Sequence, residues 1–163
     1  MIAGLEELLS PWSSMYGDSV VIATAITALH LIGMLLGGGL AIGADRTTLR
    51  LTSALDADRG RHLGELNAIH RPVLIAMIVL FVTGVLMAAA DIATFLVSPV
   101  FWVKLTLVAL LLVNGVVLER TETALRRSGT DENLWSRLRM SAMTSIGLWI
   151  ATLVAGVFLV NAA

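Results

Sequence analysis

The chain has 163 residues, of which 57% are hydrophobic and only 14% charged. Its mean hydropathy is +0.87, whereas soluble domains carry about 25% charged residues. A net charge of -1 offers no basic surface to a nucleic acid. The absence of cysteine excludes disulfides, thiolate metal sites and cysteine nucleophiles.

The first 17 residues lack the basic start and small-residue cleavage site of a signal peptide. Ile2 to Leu9 places apolar residues at helical spacing opposite Glu6 and Glu7, and Pro11 then breaks the pattern. Trp12 and Tyr16 suit the lipid headgroup level. Two readings stand for this segment: a short interfacial helix on the outer surface, or a terminus without fixed structure.

Four apolar runs follow, at about 18–44, 70–90, 100–118 and 139–160. Each exceeds the ~18 residues that mark a membrane span. Lipid leaves only helices or closed barrels as spanning forms, and these runs lack the alternation of a barrel strand. The fold class predicted is all-α, a four-helix up-down bundle forming one membrane domain over 1–163.

Ten of the eleven basic residues lie in two stretches. Arg46, Arg50, Arg59, Arg61 and Arg71 follow the first span, and Arg120, Arg126, Arg127, Arg137 and Arg139 follow the third. Positive charge stays cytoplasmic, so both stretches are placed inside and both termini outside, on the periplasmic face.

The stretch from Arg46 to Ala68 reads as a long cytoplasmic loop with a partly amphipathic helix, carrying Leu49, Leu51, Leu55, Leu63 and Leu66. His62, Glu65 and His70 read there as solvated, and Pro72 as the first turn of the second span. The later loop from Glu119 to Trp135 centres on Ser128-Gly129-Thr130, with Asp131 or Asn133 as the next helix cap.

Small residues recur on the spans: Gly33, Gly37, Gly38, Gly39 and Gly43 on the first, Gly84 and Ala88 on the second, and Gly147, Ala151 and Ala155 on the fourth. Such stripes permit close helix packing in lipid, within one chain or between copies, and also leave room for a flat cofactor.

His30 is the leading candidate site residue, because an ionisable group within a span is a functional hypothesis by default. Thr83, Thr106 and Thr152 are expected near its depth, so a neutral imidazole bound to one of these hydroxyls is the competing reading. Imidazole is a common haem ligand, but His70 lies ~20 Å away along the membrane normal, too far to share one iron. A haem b on His30 would need a methionine such as Met34 or Met87, or an open position. Copper is the other cofactor considered, since His30 and Met34 share a helix face and suit Cu(I). Asp91 and Lys104 lie near the outer ends of their spans and are expected to pair, or to form a polar outer cluster with His30. Asn114 reads as an interhelical hydrogen-bond donor. No catalytic residue is assigned and no hydrolase, kinase or phosphate-loop signature is present, so the reading leans away from an enzyme.

Leu29-His30-Leu31-Ile32-Gly33 with the later Asp45-Arg46, Val82-Thr83-Gly84, and Ser98-Pro99-Val100-Phe101-Trp102-Val103-Lys104 together resemble an uncharacterised bacterial inner-membrane family of four helices. The resemblance covers nearly the whole chain. Members often carry Asn where Ser98 stands, and an acidic residue before the histidine that this chain lacks. The family is distantly similar to the membrane bundles of b-type cytochromes and copper-resistance D proteins, which implies haem or copper. Three functions are therefore carried forward. The first is a haem-, metal- or small-ligand-binding bundle centred on His30, serving electron transfer. The second is a structural or accessory subunit. The third is a copper or small-solute permease. The partners expected are the bilayer and a second copy or a membrane complex.

Overall fold

The computed structural model describes residues 2–51, 56–128 and 131–162, and nearly all of them are helical. In chain order the helices are α1 (Ile2–Asp18), α2 (Val20–Arg50), α3 (Asp56–Ala90), α4 (Ile92–Val97), α5 (Pro99–Ser128) and α6 (Glu132–Ala162). Four of them, α2, α3, α5 and α6, are long and apolar enough to cross a membrane. At 1.5 Å per residue each is longer than the ~30 Å of hydrocarbon in a bilayer.

Local sequence explains where the helices start. Ser19 caps α2, its hydroxyl accepting from Ile22 N at 3.3 Å. Asp91 caps α4 by accepting from Thr94 N at 3.3 Å. Asp131, and not Asn133, caps α6, accepting from Asn133 N at 2.9 Å and Leu134 N at 3.4 Å. Gly129 and Thr130, at the centre of the expected turn, lie outside the described residues.

The spanning helices pack with neighbours antiparallel. Gly33 meets Leu80 and Gly37 meets Ala76 where α2 lies along α3. Asn114 meets Ser141 and Lys104 meets Gly156 where α5 lies along α6. The Trp149 ring of α6 rests on Gly37 and Gly38 of α2. A Cβ at Gly38 would stand 3.1 Å from Trp149 Cε3, and one at Gly37 3.0 Å from Ala76 Cβ. These glycines therefore serve close packing, the first of the uses expected of them. Helix α6 carries the longest buried stripe, with Trp135, Leu138, Ala142, Ser145, Trp149, Thr152, Ala155 and Leu159 at spacings of three and four.

Three local expectations are corrected. The long loop after the first span is absent: α2 continues to Arg50 and α3 begins at Asp56. His62, His70, Leu49, Leu63 and Leu66 sit on helix, Leu51 is the C-cap residue of α2, and Leu55 lies outside the described residues. Pro72 stands deep inside α3, not in a first turn. Pro11 does not end the first helix, which runs on to Asp18. Tertiary contacts explain the last point. Trp12 Nε1 donates to Leu86 O at 2.9 Å and Ser13 Oγ to Ala90 O at 2.7 Å, so α1 is stapled to the end of α3. Ala90 O belongs to the last turn of α3, where carbonyls lack helical donors.

Candidate functional site

His30 of α2 faces α3. Its Nδ1 lies 2.8 Å from Thr83 Oγ1. The Thr83 hydroxyl donates back to Val79 O at 2.6 Å, with Leu80 O at 3.3 Å. A hydroxyl has one proton, so with that proton spent on the backbone Thr83 accepts from His30. The imidazole then carries its proton on Nδ1 and keeps its lone pair on Nε2. The ring lies against Gly84, where a Cβ would come within 3.4 Å of Cε1. Of the hydroxyls expected near this depth, Thr83 is thus the partner. Thr106 is exposed and donates to Trp102 O at 2.9 Å, while the buried Thr152 Oγ1 has no hydrogen-bond partner.

Lys104 of α5 turns across the bundle toward α6. Its Nζ would lie 3.3 Å from a Cβ at Gly156. Gly156 is seven residues beyond Trp149 on α6, and His30 is seven residues before Gly37 on α2. Because Trp149 packs on Gly37 and the helices run antiparallel, His30 and Gly156 lie within about one turn of each other in depth. The expected pairing of Lys104 with Asp91 is not formed among the described residues; the Asp91 carboxylate caps α4 instead.

The donors present fit a group needing one imidazole. A fixed Nδ1–H bond and a free Nε2 form the arrangement that orients histidine ligands. They do not fit a bis-imidazole haem, since His62 and His70 lie toward the opposite, arginine-rich end. Met34 is one turn along the same helix and partly buried. As a neighbour on one face it could share a copper ion with His30, but it cannot supply the opposite axial position of a haem. Among the described residues no group of three or more His, Asp or Glu side chains is placed to hold a metal ion.

A second polar assembly, at the arginine-rich end, was not foreseen. Asp45 and Glu122 are 3% exposed and His62 is 4% exposed. Thr48 Oγ1 lies 2.8 Å from His62 Nε2 and donates to Ala44 O at 3.1 Å, so His62 donates through Nε2. Its Nδ1 has no hydrogen bond and lies 3.8 Å from Glu65 Oε2. His70 Nδ1 bonds Leu66 O at 3.1 Å and stands 3.7 Å from Glu122 Oε2. Asp45 Oδ2 and Glu122 Oε1 are buried without partners. Around these groups pack Leu63, Leu66, Leu125, Trp135 and Leu138, with the Arg59 guanidinium 5.0 Å above the Trp135 ring. Arg59 also pairs with Glu132 at 2.6 Å, and Arg126 donates to Leu63 O. A groove of about 210 Å³ beside His62 is lined by Gly39, Gly43, Thr47 and Glu65 among others.

A signal for Asp45 was present in the sequence. The buried positions Ile26, Gly33, Gly37, Asp45 and Thr48 form one helical face, so the glycine stripe carried past the last apolar residue points to it. Leu111, Glu122 and Leu125 do the same on α5.

Fold and site define a helical bundle with four membrane-length helices and ionisable groups turned into its interior. A family model described as a family of unknown function, DUF6644, matches residues 8–161, and the chain belongs to that family. No curated protein and no solved structure matches it.

Proposed function

We propose that this protein is a small multi-pass membrane protein that binds a cofactor or small ligand at His30. The observation that carries the reading is the Thr83 hydrogen bond, which fixes the tautomer and leaves Nε2 free in a partly exposed ring. A haem b with one axial imidazole, or a copper ion shared with Met34, is the cofactor class this donor set suits, and electron transfer is the chemistry either would supply. The arginine-rich end is placed in the cytoplasm of a bacterial inner membrane, with both termini outside.

The test is an oxidised-minus-reduced absorption spectrum, with metal analysis, on protein purified in mild detergent from haem-replete cells. His30→Ala is run in parallel. A stoichiometric haem or copper signal lost in the variant is expected. Protein free of chromophore and metal, with an equally stable variant, would sink this reading. That outcome favours a second one, an accessory subunit in which His30 and Thr83 only join α2 to α3, and the same hydrogen bond supports it.

A further inference from the structure

The groove beside His62 runs between α2 and α3. Gly39, Gly43 and Thr47 of one helix and His62, Glu65 and Ile69 of the other are among its lining residues. No side chain of the bundle fills it at the glycines, where an added Cβ would meet nothing within 4 Å. Glu65 stands five residues outside the apolar run that begins at 70, about 7 Å along a helix. Headgroups widen a bilayer from ~30 Å to ~40–45 Å, so each headgroup layer is about 5–8 Å deep. The polar mouth of the groove thus lies among headgroups. Gly39, five residues inside the first apolar run, reaches the acyl chains, beside the exposed Leu36 and Leu40.

The polar groups at that mouth are acceptors. Thr48 spends its proton on Ala44 O, so the neutral His62 ring donates through Nε2 and turns its Nδ1 lone pair toward Glu65. The ring is 4% exposed, and its Nδ1 has no hydrogen bond. The Glu65 carboxylate, 3.8 Å away and 60% exposed, is too distant to be a partner and is itself an acceptor. Thr47 donates to Gly43 O at 3.1 Å and so presents only lone pairs. What the mouth lacks is a donor, and the carboxylate favours a positive one. A nitrogen ~2.9 Å from each of two acceptors bridges a gap of 3.8 Å. A metal ion is poorly matched, because no group of three ligating side chains occurs among the described residues. A primary ammonium is well matched. Arg46 and Arg50, exposed within one turn of Thr47, supply positive charge for a phosphate at the same level.

We propose that this groove is a binding site for phosphatidylethanolamine. The lipid ammonium donates to Glu65 and to His62 Nδ1, the phosphate meets Arg46 and Arg50, and an acyl chain starts along Gly43 and Gly39. The site is separate from His30, and neither needs the other.

The test uses the full chain, purified in mild detergent, stripped of lipid and read by native mass spectrometry. The probes are dioleoyl phosphatidylethanolamine, phosphatidylcholine and phosphatidylglycerol, with dodecylamine as a free amine. One phosphatidylethanolamine per chain is expected. It should bind about tenfold or more tightly than phosphatidylcholine, whose trimethylammonium has no N–H to donate. Glu65→Gln, at an exposed side chain, should weaken it by a similar factor. Gly43→Leu fills the groove and should do the same, whereas Gly115→Leu, at an exposed glycine of α5 equally clear of neighbours, should not. Dodecylamine should displace the phospholipid. Equal binding of the ethanolamine and choline lipids overturns the proposal, as does affinity unchanged in both Glu65→Gln and Gly43→Leu. Dodecylamine bound without any phosphatidylethanolamine would make the ligand a free amine and end the lipid assignment. A dimer lost in Gly43→Leu, with lipid binding intact, would give the groove to a second copy of the chain instead.

Discussion

Single side chains of this protein carry separable duties. Thr83 accepts the His30 Nδ1–H while spending its own proton on Val79 O. Thr83→Val removes that acceptor and leaves the imidazole N–H unpaired. Hydrogen bonds between membrane helices are worth about 0.6 kcal/mol on average and up to ~1.7. The expected loss is in that range, read as a lower midpoint of unfolding in sodium dodecyl sulfate; an unchanged midpoint would show that the bond contributes nothing. The glycines differ from one another in the same way. Gly37→Leu must displace Ala76 and Trp149 and should cost about 1–3 kcal/mol through overpacking. Gly39→Ala meets nothing within 4 Å and should stay within about 0.5 kcal/mol of the parent. Equal effects at the two positions would contradict the α2–α3–α6 packing. The sequence marked His30 and Thr83 as candidates, since an ionisable residue and a hydroxyl in apolar runs stand out. Asp45 and Glu122 were not assigned as site residues, although each shares a helical face with buried small or apolar residues, because a carboxylate beside arginines reads as solvated.

The helices as elements extend further than their apolar runs. Charge marks the watery side of a helix as readily as a loop, and α3 illustrates this. His62, Leu63 and Leu66 are buried on one face while Arg61 and Glu65 are exposed on the other. The segment stays helical because that face packs on Leu125, Trp135 and Leu138. Helix stability of this kind comes from tertiary burial more than from propensity. Trp135, 0% exposed, is the largest side chain in this cluster, and Trp135→Ala should cost about 3–5 kcal/mol. Urea or detergent unfolding that moves by less than ~1 kcal/mol would mean that the arginine-rich end is not a cooperative part of the bundle.

Across the whole molecule the two ends differ in kind. At the arginine-rich end buried carboxylates, histidines and arginines are packed around an apolar cluster. In the other half the His30 imidazole and the Lys104 ammonium have no acidic partner among the described residues. The positive-inside rule predicts that a cysteine replacing the exposed Ser128 reacts with a membrane-impermeant maleimide only after cells are opened. Labelling in intact cells would reverse the assigned orientation.

The sequence by itself determined the class of the fold, the four membrane-length helices and the uneven distribution of positive charge. Those properties follow from composition and from the length of apolar runs, which act locally and need no partner. Tertiary structure alone decided that Pro11 and Pro72 lie inside helices, that His62 is buried, and that Lys104 turns toward Gly156 of α6 and not toward Asp91. Each depends on which residues of other helices come opposite, and a periodicity within one segment does not encode the register between segments.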